Sequence, residues 1–281
     1  MDLNTVTSVI PARHRDDLRA LGGGVVPLAG GSELYADPRI HLTGLVDLAT
    51  FDWPALTVTD AGLEIAATCT FAELSRLPAE AGWTAHPLFY QCCAALFGSF
   101  KVWNVATVGG NLATALPAGP MITLAVALDA EVLIWRADGS DERMPAVAFV
   151  TGNMSTVLNE GDVLRSIHLR SAQLGARTAF RKIALSPLGR SGAVLAGRLD
   201  VDGTFVITVT GGTIRPVQLR YAGIPPQTRL RSDIDAITDW FTDAHGAADW
   251  RQAVSGVLAE EIRQELNEDE NQNENEDEDN R

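Results

Sequence analysis

Two paired glycines stand out as residues whose type and spacing could do chemistry. The first pair lies in Val25-Val26-Pro27-Leu28-Ala29-Gly30-Gly31-Ser32-Glu33-Leu34, the second in Val105-Ala106-Thr107-Val108-Gly109-Gly110-Asn111-Leu112-Ala113. Each follows an apolar run that reads as a strand. Paired glycines admit positive φ and let the backbone approach a ligand with no Cβ between them. Successive amides in such a turn can form a concave seat for an anion, and Ser32 and Asn111 each add a polar side chain. Two seats in one domain suit a diphosphate and hence a dinucleotide. A single glycine pair after a strand is more often only a tight turn, and neither run matches the GxGxxG or GxxxxGK[ST] phosphate signatures.

Other chemistries find little support. The five histidines (14, 41, 86, 168 and 245) are scattered, and no CxxC or HxxxH occurs, so neither an iron–sulfur cluster nor a structural zinc is expected. Cys69, Cys92 and Cys93 do not make a disulfide framework and are expected to be reduced and buried. No residue is singled out as a catalytic acid, base or nucleophile.

The 281 residues carry a net charge of −14, with 46% hydrophobic and 21% charged residues, ordinary for a globular protein. From Asn267 to Arg281 there are eight acids and one arginine, a net of −7, so half the excess lies in a tail without an apolar residue. Such a tail is expected to be disordered. No Lys/Arg stripe is present, which disfavours nucleic acid. The longest apolar stretch, Met121 to Trp135, is too short to span a bilayer and contains Asp129 and Glu131. No apolar signal region follows Met1, and a cytoplasmic location is expected.

The elements that must position the glycine pairs follow from pattern. A short helix is read at 13–21, with strands at 25–28 and 44–48. A hairpin spans Leu56–Thr59 and Leu63–Ala67, and Thr70-Phe71-Ala72-Glu73 has the form of a capping box. Residues 87–97 are apolar nearly all round, predicting a buried helix, and a second helix is read at 121–128. A strand at 130–136 turns through Asp138-Gly139-Ser140 into another short strand, and Leu164–Leu169 is read as leading out of this unit. Beyond Ala176 come three longer strands (177–184, 192–199 and 204–210), then helices at 234–244 and 247–266. The expected organisation is a unit at 1–54, a second at 55–170, a C-terminal α+β domain at 171–266 with a three-stranded antiparallel sheet, and the tail at 267–281.

Ala29-Gly30-Gly31-Ser32-Glu33-Leu34 resembles the AGG[TS][DE]L motif of the FAD-binding medium subunits of molybdenum hydroxylases, the xanthine dehydrogenase and carbon monoxide dehydrogenase type. Asn104 to Ala113 resembles their N-x-A-T-[IV]-GGN-[LI]-A motif, and Gly44–Leu48 and Ala125–Glu131 resemble two further segments. The similarity extends over about residues 3–265. The resemblance implies the vanillyl-alcohol-oxidase-like (PCMH-type) FAD fold of two subdomains plus the C-terminal domain. Carried over by position, the cofactor-binding residues are Ala29, Gly30, Gly31, Ser32, Glu33 and Leu34, with Thr107, Val108, Gly109, Gly110 and Asn111. Lys182 matches a frequent family lysine near the flavin, and equally reads as a solvated strand-end charge. Implied partners are a molybdopterin-binding large subunit and a small subunit with [2Fe–2S] clusters, as a dimer of heterotrimers. The implied role is electron transfer from those clusters to an external acceptor. The alternatives are a flavin-poor structural subunit of such a complex and a stand-alone flavin oxidase. The sequence departs from the family at Trp103 (usually Arg), Pro120 (usually Asp) and Ser191-Gly192-Ala193 (usually DIA). Pro120 can offer neither carboxylate nor N–H, and Trp103 is read chiefly as core.

Overall fold

The computed structural model describes residues 3–187 and 189–279, with side chains through Glu268. Four sheets and nine α-helices occur among these residues. The first sheet is small and parallel. Strands β1 (Ser8–Pro11) and β2 (Val25–Leu28) flank β3 (Gly44–Asp47) in the order β1-β3-β2. The helix expected at 13–21 is a 3-10 turn at Arg15–Ala20 that buries Leu18.

The second sheet is antiparallel. Strands β4 (Leu56–Thr59), β5 (Gly62–Ala66), β6 (Glu131–Trp135) and β7 (Asp141–Pro145) gather around β10 (Val163–Arg170) in the order β4-β5-β10-β6-β7, and the ribbon β8 (Val150–Gly152) and β9 (Ser155–Thr156) stands apart. The segment read as leading out of this unit is therefore its central strand. Its apolar pattern is local, but pairing with both β5 and β6 is a long-range event.

Six helices belong to this region: α1 (Phe71–Leu74), α2 (Pro87–Ala95), α3 (Phe100–Trp103), α4 (Val108–Thr114), α5 (Pro120–Ala127) and α6 (Ala146–Phe149). The capping box forms as read: Thr70 Oγ1 accepts from the Glu73 amide at 3.2 Å, and Glu73 Oε2 accepts from the Thr70 amide at 2.8 Å. Helix α2 buries Leu88, Phe89, Cys92 and Cys93 but stops at Ala95, and both Tyr90 and Phe97 are exposed. The expectation of a buried helix to Phe97 is thus corrected: Leu96 turns extended and leads the chain out to solvent. All eight residues of α5 are buried. That helix is apolar all round because it lies between two layers, α2 on one side and the C-terminal sheet on the other.

After α7 (Ser171–Leu174), the C-terminal sheet has four strands, not the three expected: β11 (Arg177–Ile183), β12 (Ala193–Leu199), β13 (Phe205–Thr210) and β14 (Val217–Tyr221), all antiparallel and in sequence order. The fourth strand, an edge, alternates Val217, Leu219 and Tyr221 against the core with Gln218 and Arg220 on the other face. Strand β12 is buried on both faces, against α5 and against the last helix.

Helix α8 (Gln227–Asp235) starts after Pro225-Pro226, earlier than the 234–244 expected. Trp240, whose spacing from Ile237 suits a helix, instead bridges Thr213. Helix α9 (Ala248–Asp279) packs Leu258, Ile262 and Leu266 on the sheet. Its backbone continues through Asn267 to Asp279, where disorder is the sequence expectation. No Gly or Pro follows Gly256 in that stretch to interrupt a helix already nucleated on the sheet.

Two clamps join the layers. Buried Arg198 of β12 donates to the Ala127 carbonyl at the end of α5 and to Asp129. Thr123 of α5 and Thr210 of β13 share a buried hydrogen bond of 2.7 Å.

Candidate functional site

The first glycine pair leaves the carboxyl end of β2 in the parallel sheet, the end at which open α/β sheets form ligand crevices. Gly31 has φ +69°, the left-handed region. A Cβ on Gly30 would lie 1.5 Å from the Val105 carbonyl oxygen. The first of the pair therefore permits direct contact with the backbone leading into the second motif, and the second permits the turn. Although distant in sequence, the two motifs touch.

They differ in structure. The main-chain amides of Gly30, Gly31, Ser32, Glu33 and Leu34 have no acceptor among the described residues. The second motif is not a loop: Thr107 caps α4, the rest forms its first turn, and the amides of Val108 to Asn111 are spent. Val108 donates to the Cys69 carbonyl at 2.8 Å, Gly109 to that of Ala67 at 2.9 Å and Asn111 to that of Thr107 at 2.9 Å. The Gly110 amide donates to the N-capping Thr107 Oγ1 at 3.0 Å. Asn111 Oδ1 accepts from the Met121 amide at 3.0 Å, which fixes the first turn of α5 to α4. Pro120 occupies the first position of α5, where its ring preorganises φ and no N–H is needed. A Cβ on Gly109 would meet Ala67 at 2.3 Å, so this glycine serves close packing of α4 on the end of β5.

Both motifs line one cavity of about 1050 Å³, large enough for a dinucleotide-sized ligand. Ala29, Gly30, Gly31, Ser32, Glu33 and Leu34 line it, as do Thr107, Gly109, Gly110 and Asn111. Val108 does not; it is buried behind the turn. Lys182 does not either: its Nζ donates to the Ala94 carbonyl at 3.2 Å, near the end of α2, and it lines an adjoining pocket that shares only Ser191 with the large one. Trp103 is half-buried against the core, edge-on to Tyr90.

The cavity brings in residues that sequence reading missed, Arg39 and His41 from the turn before β3, Lys101 and Val102 of α3, and Arg190, together with Ser191 of the segment where the sequence departs from the family. Only their place in the folded chain marks the missed residues. The carboxylates in the lining are Glu33 and Asp162. Asp162 is already committed, to Arg136 at 2.6 Å and to the Ala137 and Asn159 amides at 2.9 and 2.8 Å. Burial raises its pKa, but those hydrogen bonds outweigh burial and hold it below the usual carboxylate range. With Arg39, Lys101 and Arg190 against Glu33, the wall is net cationic in a chain of charge −14. An anion of extended shape is what such a cavity can hold.

Residues 7–170 match the family described as FAD binding domain in molybdopterin dehydrogenase. The glyceraldehyde dehydrogenase medium chain of Sulfolobus acidocaldarius is 26% identical over 138 residues, taking in 49% of this chain and 45% of that protein. Xanthine dehydrogenase 1 of Arabidopsis thaliana is 29% identical over 152 residues, which are 50% of this chain and 11% of that protein. The match thus spans less than half the length of these relatives. Among solved structures, CO dehydrogenase from Oligotropha carboxidovorans superposes with a TM-score of 0.81 at 21% identity, over 93% of this chain and 97% of that one. Quinoline 2-oxidoreductase from Pseudomonas putida 86 gives 0.79 at 19% identity, over 94% and 98%. The mixed α and β fold is therefore shared along nearly the whole chain. A dinucleotide-sized cationic cavity, with both of its glycine motifs inside the stretch that this family covers from residue 7 to 170, leads to one conclusion: the chain belongs to the FAD-binding domains of molybdopterin dehydrogenases.

Proposed function

We propose that this chain is the FAD-binding electron-transfer subunit of a multi-subunit molybdenum hydroxylase. It would take electrons from [2Fe–2S] clusters of a small partner, beside a molybdopterin-binding large subunit, and pass them to an external acceptor. The observation that carries this reading is the run of five amides, Gly30 to Leu34, unpartnered among the described residues, in the wall of a net cationic cavity. Such amides suit a diphosphate, because hydrogen bonds to a charged group contribute about 1.5–3 kcal/mol each. A Cβ at Gly30 or Gly31 would meet Val105 or Tyr35, so the cradle is built of backbone.

In this reading Ala29 to Leu34 grip the diphosphate, while Thr107, Val108, Gly109, Gly110 and Asn111 form the rigid wall behind it. Apolar lining such as Leu96, Phe97 and Val102 excludes water from the ring systems. Bound FAD supplies two-electron redox chemistry together with one-electron exchange. The chain's own work is to bind, orient and shield it, and no side chain acts as acid or base. The PCMH-type division at 1–54, 55–170 and 171–266, the dimer of heterotrimers and a cytoplasmic location complete the proposal. Lys182, tied to the end of α2, positions that helix beside the cavity rather than touching the flavin.

The test is a spectrum. The chain purified with its partner subunits should show flavin absorbance at about 450 nm and release FAD on heat denaturation. A complex that contains no flavin, and takes up none when dialysed against micromolar FAD, would be a structural assembly instead.

A further inference from the structure

We infer that Arg39 is the cationic counter-group of the diphosphate seat, held ready by Glu33. The inference rests on the FAD reading above and adds to it a side chain that neither glycine motif contains. Several guanidinium groups in this chain have a buried nitrogen without a hydrogen-bond partner among the described residues, those of Arg39, Arg165, Arg177, Arg198 and Arg251. Of these, Arg39 is the one that lines the cavity.

Most of the others have compensating partners. Arg165 lies over the Trp53 ring at 4.2 Å, Arg198 Nε meets Asp200 at 2.8 Å, and Arg251 lies over the Phe241 ring at 3.9 Å. Arg39 pairs with Glu33, Nη2 to Oε1 at 3.5 Å, and its Nε–H is buried with nothing among the described residues to accept it. A buried donor left unmade is costly, and a guanidinium is the side chain best shaped to meet phosphate oxygens in a two-pronged way.

The ion pair also fixes where the guanidinium sits. Glu33 is itself one of the five residues with unpartnered amides, so its pairing sets Arg39 beside that run. The same pairing answers an electrostatic problem. A carboxylate inside an anion seat would oppose a diphosphate, and Arg39, paired with it, offsets that charge. Amides and guanidinium then approach the diphosphate together. The amides supply directed dipoles and Arg39 supplies full charge.

The experiment titrates the full-length chain with FAD and with riboflavin, which lacks phosphate, by flavin fluorescence at several salt concentrations. Arg39→Met and Arg39→Lys are compared with the wild type. Arg39→Met should bind FAD about 10- to 100-fold more weakly, show a flatter salt dependence, and bind riboflavin as the wild type does. Arg39→Lys should recover part of the FAD affinity and most of the salt dependence. Unchanged FAD affinity and salt dependence in Arg39→Met overturn the inference, as does an equal loss for FAD and riboflavin, which would assign Arg39 to packing. A wild-type chain that binds riboflavin but gains nothing from the diphosphate overturns the seat itself, and the FAD reading with it.

Discussion

Gly30 shows how little room the site allows. Alanine there would put a Cβ 1.5 Å from the Val105 carbonyl oxygen, so the two motifs would have to separate. Gly30→Ala should cost about 1–3 kcal/mol, the usual range for overpacking, and lose FAD retention with it; urea unfolding and bound-flavin content measure the two. Gly31→Ala is strained by its φ of +69°, with an expected cost of about 1–2 kcal/mol. The cysteines stand at the other extreme. Burial pushes the thiols of Cys69 and Cys93 up to about 12 and that of Cys92 well above its ordinary value. At pH 8 all three should stay unmodified by a thiol reagent in the folded chain and react once it is unfolded in denaturant. Rapid labelling of the native protein would contradict their burial.

Helix α4 explains the second motif better than a loop does. Thr107 caps it and Asn111 ties it to α5, so the run Thr107-Val108-Gly109-Gly110-Asn111 builds a joint between two helices and β5. Thr107→Ala removes the acceptor of the Gly110 amide and should cost about 1 kcal/mol of stability, read as a lower urea midpoint. Asn111→Ala leaves the Met121 amide without its acceptor and should cost about 1–3 kcal/mol. Helix α5 carries no amphipathic stripe because both of its sides are covered. Its sequence reads as a helix, but a uniformly apolar run says nothing of which two layers will enclose it.

Across the whole molecule, the clamp at Asp129 couples the two larger layers. Asp129 accepts from Arg198, Gln218 and Arg220, and the Ala127 carbonyl beside it also accepts from Arg198. Burial raises the Asp129 pKa, yet the hydrogen bonds from Arg198 and Arg220 outweigh it, and the net shift is downward. A carboxyl whose folded pKa is depressed adds stability above its unfolded value, about 3.9, and loses it as pH falls through the lower folded value. Asp129→Asn should therefore be less stable than the wild type at pH 7, and the gap should close as pH falls below about 4. A series of urea midpoints from neutral pH down into the acid range measures this. Asn suits the position because the backbone there has φ +47°, which Asn adopts readily. A gap that persists unchanged at the acid end of the series would rule out the carboxylate as its source.

The glycine pairs, the capping box at Thr70 and Glu73, and the apolar runs of α2, α5 and β12 are local, and the chain states them in consecutive residues. The family follows from the same short runs. Packing decided the rest. That Gly30 presses on Val105, that one motif keeps its amides open while the other spends them, and that Arg39 lines the cavity with an unmet donor all depend on contacts between distant segments. So do the central place of β10 and the edge strand β14, since a strand's neighbours are chosen by pairing and burial of surfaces that sequence order does not rank. A glycine pair announces that backbone will come close to something; only the assembled chain determines whether that something is a ligand or another strand.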